Sequence, residues 1–410
     1  MNPEAPRAVP TGETFPAWRT VIRAGMVVGL AIMGDSLMYN ILPLEAPRLG
    51  IALPLVGVLL SANRLVRLLS NTVASALFAR WGAHRPFFWA TVLALITTTL
   101  YGVRAGFLVF LLARVGWGMA WSALRQGGYQ AVWAAREEAQ GRYMGVFWGL
   151  VRLGSATSVI LGGFLHDVGG YRTAVFAVAA LAALALPLAW GMRWPPRSLR
   201  REEGGSDLRR GWRAVREDKV ALWVVAAGFI QALFEATLVS TAALYLARHV
   251  SAGDGVRYVG TATGVLLAVR WVSDLVFGPL LGALADWLGH ALTAVTLGVL
   301  VLLLLVGPGT LGGYVALVAL GLVFVCNAGM LVAISAGANT LALRSRAPHA
   351  LVGVYTTAVD GGLAVGPLLA YSVGTVLSLP VLYALLAAAV LLVLARYLWA
   401  EHAQAQGNGE

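Results

Sequence analysis

The sequence is poor in charge, and two residue types with reactive side chains occur once each. Only 12% of its 410 residues are charged, whereas 59% are hydrophobic, a balance far from that of soluble globular proteins. Cys326 is the single cysteine, so an intrachain disulfide is excluded and a core-filling role is expected. Lys219 is the single lysine, and no Gly-x-x-x-x-Gly-Lys-Ser/Thr loop precedes it, which excludes an ATP-driven pump. Because Lys219 lies at the edge of a predicted helix, a retinal-type pump is excluded as well.

Histidine positions and loop lengths limit the enzymatic alternatives. The six histidines lie mainly in loops or at helix ends, without the spacing of metal ligands. No connecting segment is long enough to hold a soluble catalytic domain. We therefore expect no enzymatic activity, no metal and no other cofactor.

Long apolar runs make up most of the chain. The plainest is residues 292–307, and runs able to cross roughly 30 Å of hydrocarbon recur along the whole length. Because every backbone polar group in a bilayer needs an internal partner, such runs form helices. The pattern predicts an all-α integral membrane protein with twelve transmembrane helices, centred near residues 32, 66, 95, 118, 153, 182, 234, 271, 300, 326, 362 and 389.

An arginine-rich stretch divides the predicted helices evenly. Residues 193–219 are interpreted as a linker between six-helix bundles at 17–192 and 220–399, with tails at 1–16 and 400–410. The start of the chain lacks the apolar core of a cleavable signal peptide. Most arginines fall on the side of the termini and the linker, so the positive-inside rule predicts that this side is cytoplasmic and that the chain lies in the cell (inner) membrane. The net charge of +11 then reflects topology, and nucleic acid is not an expected partner.

The two predicted bundles are repeats of one unit. A glycine-rich pattern in the fifth predicted helix corresponds to one in the eleventh at an offset of 208 residues. At this offset the positions Gly145, Gly154, Ser158, Val159, Gly162 and Gly163 of the fifth helix correspond to Gly353, Gly362, Gly366, Pro367, Ala370 and Tyr371 of the eleventh. The loops at 74–85 and 281–292, each after the second helix of its bundle, correspond at an offset of 207. Two motif pairs at nearly the same offset indicate a duplicated six-helix unit.

These features together resemble the major facilitator superfamily over about residues 17–400. Both loops keep part of its loop signature, which is Gly, three residues, Asp, a basic residue, Gly and further basic residues. The matching residues are Arg80, Gly82 and Arg85 in the first loop, and Gly282, Asp286 and Gly289 in the second. Ser75 and Ala79 stand where the first loop would have its glycine and its aspartate. The resemblance implies a latch on the cytoplasmic side, weakened here by the missing carboxylate.

Two helix motifs extend the resemblance to proton-coupled antiporters of the superfamily. Arg114 and Gly118 match the fourth-helix motif, in which the family arginine is linked to proton transfer. The glycines of the fifth helix resemble the antiporter motif, although Ser158 and Val159 replace its Gly-Pro, which should remove the proline kink. The alternative interpretation of these glycines is close packing of small residues.

Charged residues inside the predicted spans are the candidate site residues. A charge at mid-membrane costs at least a few kcal/mol, so each one should be paired or face a wet cavity. The set comprises four acidic residues, Asp35, Glu235, Asp274 and Asp360, and six basic ones, Arg64, Arg67, Arg114, Arg125, Arg152 and Arg270. The excess of arginine would suit an anionic substrate, or would hold the carboxylates ionised.

Asp35 and Glu235 are pseudo-symmetric mates in the first and seventh predicted helices, since each precedes an arginine by 13 residues. Tyr39 and Gln231 lie four residues from them on the same helix faces. The resemblance places both helices beside a central cavity. Burial favours a protonated carboxyl and a nearby guanidinium favours an ionised one, so Asp35 either exchanges a proton or serves as the structural partner of an arginine.

The remaining charges suggest pairs. Arg152 and Asp360 are mates at the 208-residue offset and would either bridge the halves or bind one substrate with two charges. Arg270 and Asp274, four residues apart, favour a local ion pair. Arg114 and Arg125 share a helix face about 16 Å long. The polar stripe formed by Asn63, Arg64, Arg67 and Asn71 has no assigned role.

The function indicated is secondary active transport by alternating access, most directly proton-coupled export of a small organic or amphipathic compound. The expected partners are this substrate, protons and the lipid bilayer, with the chain acting as a monomer. One alternative is uptake or facilitated transport of a polar or anionic metabolite. Another is a non-transporting receptor or scaffold, which would need an interaction domain that the short tails do not supply.

Overall fold

The computed structural model describes residues 17–103, 106–133, 140–194, 208–250, 258–307, 313–345 and 348–407. The predicted tail at 1–16, most of the predicted linker and the last three residues lie outside the described residues.

The described chain consists of helices joined by short connections. The amino-terminal half comprises α1 (Ala17–Ala31), α2 (Met33–Glu45), α3 (Leu53–Trp81), α4 (His84–Tyr101), α5 (Gly106–Trp133), α6 (Gln140–Ala183) and α7 (Ala185–Trp190). The carboxy-terminal half comprises α9 (Lys219–Tyr245), α10 (Val259–Val276), α11 (Gly278–Leu288), α12 (His290–Val306), α13 (Gly313–Arg344), α14 (Pro348–Val373) and α15 (Leu379–Gly407), and α8 (Leu208–Glu217) precedes it. A 3-10 turn, Ala46–Leu49, extends α2, and a π turn, Leu246–Val250, extends α9.

Nine helical segments of the described chain are long and apolar enough to cross a bilayer. One of them, Gln140–Trp190, holds the fifth and sixth predicted spans, which meet where Gly170 leaves helical geometry at a φ of 79°. His290–Val306 is apolar but shorter, and His84–Tyr101 holds the third predicted span. The predicted all-α membrane fold is confirmed, with a helix at or beside the centre of each predicted span.

The first span is built from α1 and α2, which are separated by Ile32 alone. Hydrogen bonds from Ile32 N to Val28 O (2.9 Å) and from Ser36 N to Ile32 O (3.0 Å) carry the helical path across this residue. Asp35 therefore lies in the first turn of α2, in the interior of a continuous span.

Contacts between chain segments define one side of the molecule. Thr20 at the start of α1 donates to Arg193 O at 3.2 Å, just beyond the end of α7. Helix α8 packs on the start of α14, where a Cβ on Gly211 would lie 2.5 Å from Ala350 O. We call this the terminal side, and the opposite side the distal side.

The two halves meet along a seam between α6 and α10, in which backbone contacts backbone. A Cβ on Gly163 would lie 2.2 Å from Gly260 O, and one on Gly264 would lie 2.1 Å from Val159 O. Such close approach is possible because glycine has no side chain. A second contact joins α3 to α14, where a Cβ on Gly57 would lie 2.6 Å from Pro367 O. These contacts lie toward the distal side and hold the halves together there.

Helices extend into the predicted linker and into the predicted carboxy-terminal tail. Helix α8 occupies part of the predicted linker, and the Asp218 carboxylate caps α9 by accepting hydrogen bonds from the backbone N–H groups of Val220 (2.8 Å) and Ala221 (3.3 Å). Helix α15 continues past residue 399 to Gly407.

Candidate functional site

Asp35 is buried between three helices of the amino-terminal half. Its Oδ1 atom accepts hydrogen bonds from Arg114 Nη1 on α5 (2.5 Å) and from Asn63 Nδ2 on α3 (3.0 Å). Arg114 is fully buried and also donates from Nε to Leu59 O (3.0 Å). No described residue accepts a hydrogen bond from Arg114 Nη2. The Asp35 site thus neutralises the arginine but does not satisfy all of its donors.

Tyr39 lies between this ion pair and Arg64, which belongs to the polar stripe on α3. Its ring lies against the guanidinium groups of Arg114 (5.6 Å to the ring centroid) and Arg64 (5.9 Å), and Arg64 Nε donates to its hydroxyl at 3.4 Å. Two positive groups therefore lie near one aromatic ring, which stabilises them by cation–π attraction.

Glu235 occupies the matching place in the carboxy-terminal half, with more donors around it. Its Oε1 accepts hydrogen bonds from Arg270 Nε on α10 (2.7 Å) and from Arg270 Nη2. Its Oε2 accepts from Gln231 Nε2 and from Asn327 Nδ2 on α13, each at 3.3 Å. Both carboxylate oxygens are thus occupied, and four donors surround the charge.

The Glu235 site continues across the seam to the other half. Arg270 Nη1 donates to Asp274 Oδ2 at 2.8 Å, so the local pair indicated by the spacing is present. Asp274 Oδ2 also lies 2.9 Å from Arg152 Nη2 on α6. Both guanidinium groups lie on the ring of Trp271, with centroid distances of 4.3 Å for Arg270 and 4.8 Å for Arg152.

The structure does not bring Arg152 and Asp360 together. Helix α6 packs on α10, whereas α14 packs on α9 and α3, so the two residues lie on helices without a common contact surface. Asp360 is exposed on α14, and Arg152 pairs with Asp274 instead. A direct bridge between Arg152 and Asp360, one of the two roles predicted for this pair, is therefore absent from this conformation.

A face of the amino-terminal half carries arginine and aromatic side chains on the terminal side of these pairs. We call it the basic-aromatic face; it is formed by Arg67, Asn71, Trp121, Arg125, Tyr129 and Trp148. Arg125 Nη2 donates to Asn71 Oδ1 at 3.1 Å, and the Arg67 guanidinium lies 5.2 Å from the centroid of Trp121. Arg125 thus lies apart from Arg114, although the two residues are on one helix.

The described residues contain no group of three or more His, Cys, Asp or Glu side chains able to hold a metal ion. The groups around Asp35 and Glu235 pair with one another or with amides, which is the arrangement expected of charges inside a membrane, whereas Arg64 and Arg67 lie against aromatic side chains.

The sequence matches the family model of the Major Facilitator Superfamily over residues 24–359. The chain belongs to this superfamily. It is therefore a membrane transporter and not an enzyme. No curated protein sequence matches the chain.

Solved structures of other superfamily transporters share the fold. One is a bacterial homologue of the human lysosomal transporter Spinster in an inward-facing, unoccupied conformation, with 15% identity, a TM-score of 0.69 and 96% of each chain covered. Another is the nucleoside transporter NupG, with 10% identity, a TM-score of 0.76 and coverage of 94% of this chain and 99% of that one. At these identities the likeness concerns the fold alone.

The superfamily-type glycines of the fifth and eleventh spans lie mainly where helices touch. A Cβ on Gly154 would lie 2.0 Å from Gly29 O on α1, and one on Gly362 would lie 2.2 Å from Phe229 O on α9. Positions 29 and 229 differ by the same 200 residues as Asp35 and Glu235, so the two halves repeat one backbone contact.

The other glycines of these motifs have different surroundings. A Cβ on Gly162 would lie 2.2 Å from Leu37 Cδ1, and one on Gly366 would lie 2.6 Å from Ala236 Cβ. Gly145 has open space beside it, and Gly353 O accepts a hydrogen bond from Thr357 Oγ1 at 2.8 Å. Close packing thus accounts for some positions of the pattern and not for Gly145.

The superfamily loop signature ends two helices on the terminal side. Gly82 and Gly289 follow α3 and α11 with φ angles of 74° and 99°, values that favour glycine. Asp286 is largely exposed, and His290 Nε2 lies 3.4 Å from its Oδ1. Gly282 lies in α11, and Arg80 and Arg85 are exposed at the end of α3 and the start of α4.

A second polar cluster lies on the distal side. Glu45, Arg48, His166 and Asp167 line a cavity of about 430 Å³. His166 joins the two acids, with Nε2 3.1 Å from Glu45 Oε1 and Nδ1 3.4 Å from Asp167 Oδ1. Arg48 Nη1 donates to Glu45 Oε1 at 2.9 Å.

Asp167 and Asn40 fasten the distal end of the seam. The Asp167 carboxylate accepts hydrogen bonds from Gly260 N (3.0 Å), Thr261 N (2.6 Å) and Thr261 Oγ1 (2.7 Å), at the start of α10. Asn40 Nδ2 donates to Val159 O (2.9 Å) and Gly260 O (3.0 Å), one carbonyl from each half. A carboxylate at a helix amino terminus also interacts favourably with the helix dipole.

Sequence reasoning missed several of these residues. Asn63 was part of a stripe without a role, and Asn327 is a lone amide in the apolar run of α13. Asn327 could have been found by searching the fourth span of each half for a polar group facing the carboxylate of that half. Asp167 and His166 gave no such signal, because they lie near a helix end where charge is ordinary.

Proposed function

We propose that this superfamily member is a proton-coupled antiporter that exports a small organic or amphipathic compound by alternating access. The observation that carries the proposal is the contact of Asp35 Oδ1 with both Arg114 and Asn63 inside a membrane-spanning bundle. A carboxyl held this way can take a proton only when Arg114 gains another partner or water, because a buried guanidinium is costly without a counter-charge, and this requirement links proton exchange to rearrangement of the bundle.

Asp35 is the better candidate for the exchanging group than Glu235. Two donors contact Asp35, both at one oxygen, whereas four donors contact Glu235 at both oxygens. A proton on Glu235 would displace a donor. A proton on Asp35 can bind Oδ2, because both side-chain donors contact Oδ1. In the proposal Glu235 is the anchor of its half and Asp35 the carrier of the proton.

The contacts between the halves support the assignment of this conformation to one state of the transport cycle. The halves pack along the distal side through Gly163, Gly260 and Asp167, while the basic-aromatic face lies toward the terminal side. With the positive-inside rule placing the terminal side in the cytoplasm, we assign this conformation to the inward-facing state of a monomer in the cell membrane. Release of the distal contacts would then open the other side.

Reconstitution tests the proposal. Purified protein in liposomes with a pH-sensitive dye inside should show proton movement when a compound selected by thermal-shift screening is added under a pH gradient. Asp35→Asn should abolish that movement, whereas Glu235→Gln should lower protein stability with coupling retained in the folded fraction. Unchanged coupled flux in the double variant would refute the proposal.

Uptake of a polar or anionic metabolite is the second candidate. It is favoured by Arg64, Arg67 and Arg125, none of which forms an ion pair with a described carboxylate. The direction of the pH gradient that drives accumulation separates the two: an antiporter expels the compound from the compartment into which protons flow, and a symporter accumulates it there.

A further inference from the structure

The basic-aromatic face carries positive charge that no described carboxylate balances. Arg125 bonds the neutral amide of Asn71, and Arg67 lies over the ring of Trp121. No described residue accepts a hydrogen bond from the buried Nε of Arg67. A guanidinium inside a membrane protein needs a counter-charge or water, and no described residue supplies the counter-charge to this face.

The carboxylates of the interior are already engaged. Asp35 accepts from Arg114, while Glu235 and Asp274 accept from Arg270. Asp360 is exposed on α14 and forms no ion pair within the described chain. Asp360 is close enough to Tyr129 of this face to interact with it electrostatically, but its one charge leaves the arginines of this face and Arg64 in excess.

Aromatic rings beside these arginines form a continuous surface. The centroid of Trp148 lies 6.2 Å from that of Trp121 and 6.4 Å from that of Tyr129. Trp121, Arg125 and Tyr129 follow one another at four-residue spacing and so share a face of α5. Gly145, with open space where a side chain would be, lies less than one turn from Trp148 on α6.

We propose that the basic-aromatic face binds the transported substrate, and that this substrate is an organic anion with a planar aromatic body. Its anionic group supplies the counter-charge missing at Arg67 and Arg125, and its ring packs on Trp121 and Trp148. Arginine suits both parts of such a ligand, because it binds a carboxylate in a bidentate manner and stacks on aromatic rings. The inference rests on the proposed transport function but concerns binding alone.

A series of matched probes tests the charge and the ring separately. The full chain in detergent is titrated calorimetrically, in chloride-free buffer at neutral pH, with 2-naphthoate, 2-naphthamide, 2-naphthylmethylamine and cyclohexanecarboxylate. The naphthoate should bind at least about tenfold more tightly than each of the other three, as expected for charge-assisted hydrogen bonds combined with stacking. Equal binding of the acid and the amide, preference for the amine, or no binding of the acid would overturn the inference.

Variants locate the site. Arg67→Gln and Arg125→Gln should each weaken naphthoate binding by about tenfold or more and leave the weak binding of the amide unchanged. Arg125→Lys should restore part of the affinity because it keeps the charge. Arg396→Gln, at an exposed arginine of α15, is the matched control and should bind as the native chain does. Native affinity in both glutamine variants would place the anion elsewhere and overturn the assignment.

Proton flux keeps this inference separate from the proposed function. Naphthoate binding without coupled proton movement would overturn the antiport proposal and leave the anion site standing. Coupled proton movement with neutral or cationic compounds, and none with aromatic anions, would do the reverse.

Discussion

Each half buries one carboxylate beside an arginine and an asparagine, but the two halves carry these partners on different helices. In the amino-terminal half the carboxylate of Asp35 meets an asparagine on α3 and an arginine on α5. In the carboxy-terminal half Glu235 meets an arginine on α10 and an asparagine on α13. Asn63 and Arg270 are equivalent at the 207-residue offset of the loops, so the second helix of the repeat carries the asparagine in one half and the arginine in the other. The fourth helix carries the other partner, Arg114 or Asn327, at positions 213 residues apart.

This exchange changes what each carboxylate is connected to. The contacts of Asp35 with Arg114 and Asn63 stay within the amino-terminal half. Arg270, by contrast, also holds Asp274, which reaches Arg152 on the other side of the seam. The comparison teaches that a duplicated unit can preserve a local charge balance while making one copy independent of the domain interface and the other part of it.

Exchanging the two partners of Asp35 tests whether the arrangements of the two halves are interchangeable, and it should have the largest effect on stability. Arg114→Asn alone should destabilise the chain by about 3–5 kcal/mol, because it leaves a buried carboxylate without its counter-ion. Adding Asn63→Arg copies the arrangement of the other half and should recover more than half of the loss. Thermal unfolding in detergent measures both effects, with Arg396→Asn as an exposed control. A double variant no more stable than Arg114→Asn would show that the two arrangements are not interchangeable.

A side chain added at the seam should weaken the packing of the two halves on the distal side. Gly260→Ala introduces a Cβ that would lie 2.7 Å from Asp167 Oδ1 and 2.9 Å from Gly163 O, and overpacking of this kind costs about 1–3 kcal/mol. Spin labels at Val103→Cys and Val376→Cys, in a Cys326→Ser background, should report a longer distance between the two halves on the distal side. Gly321→Ala, which meets nothing within 4 Å, is the control. An unchanged distance distribution would mean that the seam yields without opening.

Loss of charge at Asp167 should weaken the same closure by a smaller amount. Asp167→Asn keeps one acceptor oxygen but loses the carboxylate that binds two backbone N–H groups and the hydroxyl of Thr261, an expected cost of about 1–2 kcal/mol. The same label pair and thermal unfolding measure it. Asp286→Asn, whose side chain is 75% exposed, should change neither readout. Equal effects of the two variants would contradict the fastening role of Asp167.

The aromatic link across the seam should matter least. Trp271→Leu removes the ring on which Arg152 and Arg270 both lie, and cation–π contacts contribute about 0.5–2 kcal/mol. We expect a modest loss of thermal stability, larger than that of Trp287→Leu, a ring that is 81% exposed. If removal of Asp274 as well produced a simply additive loss, the ring and the ion pairs would be independent rather than one network.

The helical fold and the central carboxylates were predictable from the sequence for simple reasons. A bilayer permits helices that satisfy their own backbone, so long apolar runs reveal them directly. Asp35 and Glu235 stand out because a charge in an apolar run is costly, and the repeat identifies them as a pair. The spacing of Arg270 and Asp274 indicated their contact because residues four apart on a helix are neighbours.

Partners on different helices were not predictable in the same way. The choice of Asp274 rather than Asp360 for Arg152 depends on which helices pack together, and symmetry of position does not determine that. The donors Asn63 and Asn327 carry no charge, so nothing in their composition distinguishes them from ordinary polar residues. The fastening role of Asp167 depends on the start of α10 lying beside it, which is a property of the assembled halves.

The docking of α8 on α14 has a consequence for how far apart the halves can move. Because a Cβ on Gly211 would already touch Ala350 O, α8 belongs mechanically to the carboxy-terminal half. The covalent tether between the halves is then residues 195–207, whose contour length is at most roughly 45 Å. That length is several helix diameters, so the number of residues in the tether does not itself prevent the halves from separating, and the contacts that oppose separation are those of the seam and of α3 with α14.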